Sequence, residues 1–451
     1  MAGSSAPAGQ KQVPIPPPPQ DWNLDTALSW LNAKVNFERQ PNRDLAARVL
    51  KLDRVHALSA AMGNPHQATP CIHVAGSKGK GSITRMAASI LTAAGLHTGA
   101  FTSPHLIAPN ERIAVDRSPI SDGDLALALW RVAQAEASLP QAILAEYGTP
   151  TYFEAITVAA FDHFARAGCN AAVYEVGLGG RLDSTNIIHP AACVLASIEL
   201  EHAEILGHTL EAIAHEKAGI LKPGSRAIAL PQTPGVLAVF RETAKATGTT
   251  LEVLGQDMPF EHAMQDRHAT VRVAVNGRVY DNIRCPMPGA HQAANTAAAI
   301  AACAILLGDR LTDEAVQAGL AATPRDGRME TIAHHPSIII DGAHTPASIR
   351  AALDALPTHE GPLVVLFGCA KDKDMSGMFA HLAASGARVV FTQAGPRARP
   401  AAELQHAYSS MSEAETDPAQ ALARTRALAG PDGLVLVLGS FMLAGAVKGL
   451  C

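Results

Sequence analysis

A lysine set among glycines, acids just past apolar runs and histidines close to them are the residue types and spacings in this chain that suit phosphoryl chemistry. The clearest stretch is Val74-Ala75-Gly76-Ser77-Lys78-Gly79-Lys80-Gly81-Ser82, between a β-branched apolar run and an Ala-rich one. Glycines let the backbone turn tightly and present N–H groups to phosphate oxygens. A helix starting there adds partial positive charge to the full charge of Lys80. Residues Gly76 to Ser82 therefore read as a cradle for the phosphates of ATP. The stretch departs from the general G-x-x-x-x-G-K-[ST] pattern, because Val74 stands at the first glycine and Gly81 separates Lys80 from Ser82. A plain Gly-rich strand-to-helix turn is the competing reading.

Tyr174-Glu175-Val176-Gly177-Leu178-Gly179-Gly180-Arg181-Leu182-Asp183 puts an acid at the end of an apolar run and glycines after it. Acids at strand ends of open α/β sheets face the ligand crevice, and Mg²⁺ prefers hard oxygen ligands, so Glu175 is a candidate metal ligand or else a solvated loop residue. Ser197-Ile198-Glu199-Leu200-Glu201-His202 repeats the arrangement, with His202 either a metal ligand or simply exposed. Lys217, in Glu216-Lys217-Ala218-Gly219, reads from its position alone as a cation capping a helix C-terminus. Later in the chain Ile340-Asp341-Gly342-Ala343-His344 again ends an apolar run with an acid and a histidine, and Gly327-Arg328 precedes it. An arginine between two α/β domains can clamp a phosphoryl group as they close, or can form a salt bridge between them.

The elements that must position these residues alternate. Strands are expected at Cys71 to Ala75, Thr98 to Thr102, Ala171 to Val176, Cys193 to Ile198 and Arg226 to Leu230. Helices are expected between them, near Lys80 to Ala94, Asp122 to Ala137, Tyr152 to Ala167, Thr209 to Gly219 and Val236 to Thr247. Such alternation implies a doubly wound, mostly parallel sheet. Ala269 to Ile283 breaks the rhythm by alternating around Asn276-Gly277, a hairpin signal. After helical runs at His291 to Leu307 and Thr312 to Ala321, the polar stretch Thr323 to Gly327 reads as a linker. Aliphatic runs at Ser337 to Ile340, Leu363 to Phe367, Val389 to Thr392 and Leu434 to Leu438 then announce a second sheet covered on both faces. The expected division is a disordered Pro-rich tail over residues 1–20, a first domain over 21–325 and a second over 326–451.

Composition narrows the class. A chain of 451 residues allows two or three domains at about 150 residues each. With 48% hydrophobic and 17% charged residues it is a folding sequence rather than a disordered one. Its formal charge of −5 gives no global attraction to nucleic acid or anionic membrane, so phosphate binding must be local. Seven cysteines without C-x-x-C spacing read as reduced thiols. Charged residues, Pro or Gly are expected to interrupt every apolar stretch before the roughly 18 residues of a membrane span, and no signal-peptide core is evident. A cytoplasmic protein is expected.

Taken in order, these stretches resemble the folylpolyglutamate synthase and dihydrofolate synthase family of the Mur-ligase group. The resemblance runs from about Asn23 to Gly449. It also includes Ser103-Pro104-His105-Leu106 with Glu111-Arg112, Thr151-Tyr152-Phe153-Glu154, Asp183-Ser184-Thr185-Asn186, His291-Gln292 with Asn295, Asp372-Lys373-Asp374 and Gly439-Ser440. It implies a P-loop-type N-terminal ATPase domain, a smaller Rossmann-like C-terminal domain and a site in the cleft between them. The implied reaction uses ATP and Mg²⁺ to convert a pteroate or folate carboxylate to an acyl phosphate, which the amine of L-glutamate attacks. By the same resemblance Ser103, Glu175 and His202 would hold Mg²⁺, Lys217 would be carbamylated and catalytic, and Asn295, Arg328 and Asp341 would hold the nucleotide. His344 and Arg328 would lie near the transferred phosphate and Ser440 near glutamate. Asp183, Ser184 and the loop containing Ser103, Pro104, His105 and Arg112 would form the pterin side. A monomer acting on small molecules is expected, with no nucleic-acid or membrane partner.

Some positions depart from the family pattern. Lys78 stands where Asn is frequent, Glu201 where Asp is usual, Asp326 where Pro is frequent and Thr345 where Asn is usual. Lys78 would add charge beside the phosphates, and Thr345 would remove an amide near the nucleotide or phosphate. A Mur-group ligase for a different acid is the alternative within the class, and a nucleotide-binding regulatory protein without catalysis is the alternative outside it.

Overall fold

The computed structural model describes residues 15–36, 51–265, 267–408 and 412–451. Most of the expected N-terminal tail lies outside them. Within the described part, the Pro16 carbonyl accepts a hydrogen bond from the Trp130 indole at 2.8 Å. The chain forms two compact units, and neither is continuous in sequence: the first comprises 1–103, 112–258 and 298–319, the second 104–111, 259–297 and 320–451.

The first unit is built on eight strands, β1 (Cys71–Ala75), β2 (Thr98–Phe101), β3 (Ile113–Val115), β4 (Ser118–Pro119), β5 (Ala171–Glu175), β6 (Ala192–Leu195), β7 (Arg226–Ala229) and β8 (Thr250–Val253). Their order is β4-β3-β2-β5-β1-β6-β7-β8, with β1 paired in parallel to both β5 and β6. Every residue of β1 and β5 is buried, which is why these runs are mostly apolar rather than alternating, His73 and Glu175 being the exceptions. The parallel pairing matters for function, because the loops after β1, β5 and β6 all leave from one edge of the sheet. Helices Lys80–Ala93 and Tyr152–Arg166 are largely buried, and the latter begins at a Thr151/Glu154 capping box. The antiparallel strands β3 and β4, with β4 at the edge, and the parallel edge strand β8 have no counterpart in the expected elements. They are short, and only β3 carries a recognisable apolar pattern.

In the second unit the expected hairpin is one part of a three-stranded antiparallel sheet, β9 (Phe260–Gln265), β10 (His268–Val275) and β11 (Arg278–Arg284). The mostly exposed face of β9 hid it from a reading of apolar alternation. A six-stranded sheet follows, from β12 (Glu330–Ala333), β13 (Ser337–Ile340), β14 (Leu363–Phe367), β15 (Arg388–Phe391), β16 (Ser412–Ala414) and β17 (Leu434–Leu438), in the order β12-β13-β17-β14-β15-β16. It is parallel except at β12, and its core includes Ile340, Val365, Phe367, Phe391 and Leu436.

The expectation about apolar stretches needs one correction. The helical stretch His291–Arg310 is long and apolar enough to cross a membrane by length and composition. Its most apolar window is 72% buried within the protein, and Cys303 Sγ lies against the Ala87 carbonyl at 3.4 Å, so its alanines serve as packing surface. The seven cysteines are unpaired, six of them buried.

Candidate functional site

At the carboxyl end of β1 the chain turns through Gly76 to Gly79 and enters the helix at Lys80. Gly76 has φ +153°, and a Cβ there would lie 2.6 Å from the Ala196 Cβ, so only glycine fits between β1 and the end of β6. The loop is pinned from β6 as well: the Ser77 and Lys78 N–H groups donate to the Ser197 carbonyl at 2.7 and 3.2 Å, and the Ser77 hydroxyl donates to the Glu199 carbonyl at 3.0 Å. Gly81 and Ser82 lie in the buried first turn of the helix.

Two lysines meet at one oxygen. The Gly76 carbonyl accepts from Lys80 Nζ at 2.8 Å and from Lys217 Nζ at 2.8 Å. The capping reading of Lys217 therefore fails: its side chain is 2% exposed and its ammonium bonds a residue 141 positions away rather than the end of its own helix. Burial and the charge of Lys80 bring the Lys217 amine down to about 7, against the pull of Glu201. Gly180 makes the approach possible, because a Cβ there would stand 2.7 Å from the Glu216 carbonyl and 2.9 Å from that of Lys217.

Glu201 joins the lysines. Its carboxylate lies 3.3 Å from Lys78 Nζ and 3.7 Å from Lys217 Nζ. Burial would raise this carboxyl, but Lys80, Lys78 and Lys217 outweigh it and hold it at about 2. Two of the departures from the family pattern, Lys78 and Glu201, thus face each other. In sequence Glu201 reads as a longer acid in place of the family's Asp, before the candidate metal-binding histidine, and its ion pairs with Lys78 and Lys217 are not anticipated.

On the β5 side, buried Glu175 accepts the Ser103 N–H at 3.1 Å. His202 takes a left-handed φ of +50° at the start of helix Ala203–Leu206, one residue after Glu201. Among the described residues no three His, Cys, Asp or Glu side chains converge as a metal cage. The donors nevertheless fit Mg²⁺, which is ordinarily held by one or two carboxylates together with substrate phosphates and water. Asp183 is an organiser: its Oδ2 accepts the Gly177 and Leu178 N–H groups at 3.0 and 2.9 Å, and its Oδ1 the Thr185 N–H at 3.0 Å and hydroxyl at 2.5 Å. Burial pushes the Asp183 carboxyl up against these bonds. Ser184 is buried in the turn that follows, and Arg112 is buried with its guanidinium 5.4 Å from the Tyr152 ring centre.

The second unit gathers its own set. Asp341, at the end of β13, accepts the Met329 and Ala343 N–H groups at 2.8 Å each, and burial raises its carboxyl to about 6 against those bonds and Arg328. The Arg328 guanidinium lies 5.4 Å from the Phe441 ring centre. His344 Nδ1 donates to the Gly342 carbonyl at 2.7 Å. Thr345 is the N-cap of helix Pro346–Asp354, reciprocally bonded with Ser348. Ser440 caps helix Phe441–Lys448 through Leu443 N–H at 3.1 Å. Asn295 donates to Gln292 Oε1 at 3.0 Å. The segment carrying Pro104 and His105 is folded over Glu111, whose carboxylate takes the Leu106, Ile107 and Ala108 N–H groups.

Comparison with known proteins identifies two successive domains, whose boundaries differ from those of the compact units because residues 104–111 and 259–297 of the second unit fall within the first match. Residues 74–303 match the Mur ligase middle domain, and residues 327–441 match the Mur ligase glutamate ligase domain. A dihydrofolate synthase/folylpolyglutamate synthase of Bacillus subtilis is 32% identical over 94% of this chain and 97% of its own length. A folylpolyglutamate synthase of Lacticaseibacillus casei is 35% identical over 88% and 93%. Among solved structures, Mycobacterium tuberculosis folylpolyglutamate synthase complexed with ADP and AMPPCP superposes with a TM-score of 0.84 at 30% identity, covering 95% of this chain and 99% of that one. The Escherichia coli protein in complex with DHPP and ADP gives 0.81 at 28%, covering 96% and 99%.

Proposed function

The chain belongs to the folylpolyglutamate synthase/dihydrofolate synthase family of Mur ligases, and within it we propose the roles of its own residues in joining glutamate to a pteroate or folate carboxylate. It is an ATP-dependent ligase. A carboxylate oxygen of the acid attacks the γ-phosphorus and the bond to ADP breaks. The glutamate amine then attacks the acyl carbon, inorganic phosphate leaves, and the amine gives up a proton.

The observation that carries this reading is the loop after β1, where one carbonyl holds both Lys80 and Lys217. Backbone N–H groups from Gly76 to Ser82 and the Lys80 ammonium bind the phosphates as charge moves toward ADP. Ser103, Glu175 and His202 are the groups that would hold Mg²⁺, which when bound neutralises charge on the transferred phosphoryl group. With every amine protonated, Lys78, Lys80, Lys217 and Glu201 form a doubly positive cluster. Carbamylation of Lys217 would make it formally neutral and add a carboxylate able to face a cation. An amine held near 7 has the neutral fraction that reaction with CO₂ requires. In the second unit Asn295, Arg328 and Asp341 bind the nucleotide, His344 and Arg328 meet the transferred phosphate, and Ser440 receives glutamate. Asp183 shapes the Gly177–Leu178 turn on the pterin side, together with Ser184, Pro104, His105 and Arg112. A monomeric, cytoplasmic enzyme completes the proposal, supported by its unpaired thiols.

An isotope experiment tests the acyl phosphate. With ¹⁸O in the acid's carboxylate, one ¹⁸O should appear in phosphate for each amide formed. Phosphate free of the label would reject the intermediate.

A further inference from the structure

The second unit has a surface cavity of about 170 Å³ lined by none of the residues given a role above, although Met329 at its wall is bonded to Asp341. Its floor is one face of the β12–β13 ladder, where Thr331 and Ser337 present hydroxyls, and Arg267, His268, Arg325 and His334 rise around it. No Asp or Glu lines it, and among the described residues no carboxylate pairs with Arg267, Arg284 or Arg325. Elsewhere Arg131, Arg166, Arg181, Arg226 and Arg424 each have a carboxylate partner. His268 reports the resulting field. Its Nδ1 faces the Cys285 carbonyl at 3.0 Å, a contact favouring the charged ring, yet burial together with Arg284, Arg325 and Arg267 keeps it below its ordinary range.

Guanidinium groups with no carboxylate partner among the described residues, set around a walled, hydroxyl-floored space, are what an oxyanion needs, since the forked donors match carboxylate and phosphate oxygens. The volume equals that of about five waters, enough for one phosphate or one carboxylate-bearing side chain. We propose that this cavity is an accessory oxyanion site, with Arg325 and Arg267 as its principal ligands. The ligand chemistry has two sources in a glutamate ligase, released phosphate and the carboxylates of a glutamyl chain.

The test is calorimetric titration of the full chain at low ionic strength in chloride buffer, with saturating ADP to fill the phosphate cradle. Inorganic phosphate and γ-glutamylglutamate are the two probes. Arg325 is exposed and has no described bond, so Arg325→Gln should fold with an unchanged melting temperature. At least one probe should bind saturably, and Arg325→Gln should weaken it by about tenfold or more while Arg325→Lys retains part of the affinity. Tighter phosphate binding would identify a phosphate site, and tighter dipeptide binding a glutamyl-carboxylate site. Absence of binding by both probes, or affinity unchanged in Arg325→Gln, would overturn the proposal. No turnover is involved, so the result is independent of the ligase assignment.

Discussion

Replacing Gly76 by alanine should damage stability and nucleotide binding together. The residue has φ +153°, a region costing about 1–3 kcal/mol for a residue with a side chain. The added Cβ would meet the Ala196 Cβ at 2.6 Å and its Cα and carbonyl carbon at 3.0 Å. Ala196 cannot retreat freely, because its N–H is bonded to the Ala75 carbonyl at 2.7 Å, and overpacking of this kind costs about 1–3 kcal/mol more. The expected destabilisation is therefore roughly 2–6 kcal/mol. Moving the Gly76 carbonyl would also release Lys80 and Lys217 from their shared acceptor. Gly95→Ala is the control: φ is +86° but nothing lies within 4 Å of the new Cβ, so it carries strain of about 1–2 kcal/mol without a clash. Thermal melts and calorimetric ATP titration of both variants provide the comparison. Equal melting temperatures with wild-type ATP affinity in Gly76→Ala would show that the loop is not held as described.

Lys80→Ala removes an ammonium that bonds only its own loop's carbonyls, so it should fold normally and lose about 100-fold or more in ADP release under saturating substrates. Lys217→Ala should lose most activity and recover part of it with a short carboxylic acid; full activity without rescue would remove Lys217 from the chemistry. Because the folded-state pKa of Lys217 lies near 7, below its unfolded value of 10.5, the unfolded chain binds more protons between those pH values. The contribution of Lys217 to stability should thus grow as pH rises from about 7 to 10.5, and Lys217→Met should flatten the denaturation profile over that window. Asp183→Asn would turn an amide toward donors that now meet a carboxylate, costing about 1–3 kcal/mol or more in urea unfolding, whereas a neutral effect would mean the turn at 177–178 is held by other contacts.

The residues legible in the sequence are those whose surroundings are local. β1 and β5 are readable because burial on both faces favours apolar residues throughout, with only His73 and the terminal Glu175 charged or polar, and the loop at 76–82 because glycines and lysine follow directly on such a strand. Lys217 was opaque: its position suggested a helix cap, while its structural role depends on a contact 141 residues distant and on the bare Cα of Gly180. Thr345 has a local role as well, an N-cap legible from the Thr-Pro start of its helix, which family comparison passed over in favour of the amide it lacks. Edge strands β4, β12 and β16 are short and partly exposed, so no apolar period marks them. The stretch His291–Arg310 shows how an alanine-rich core helix can meet the compositional test for a membrane span.

The central claim is that this chain condenses glutamate with a pteroate or folate acid at the expense of ATP. The most direct measurement is mass spectrometry of reactions containing the purified protein, ATP, Mg²⁺, glutamate and, in turn, dihydropteroate and a reduced folate. At least one acid should gain the mass of a single glutamyl group, with one ADP released per amide and none formed when ATP is omitted. If neither acid is extended while a cell-wall precursor yields product and stimulates ADP release, the folate assignment is contradicted and the ligase acts on a different carboxylate.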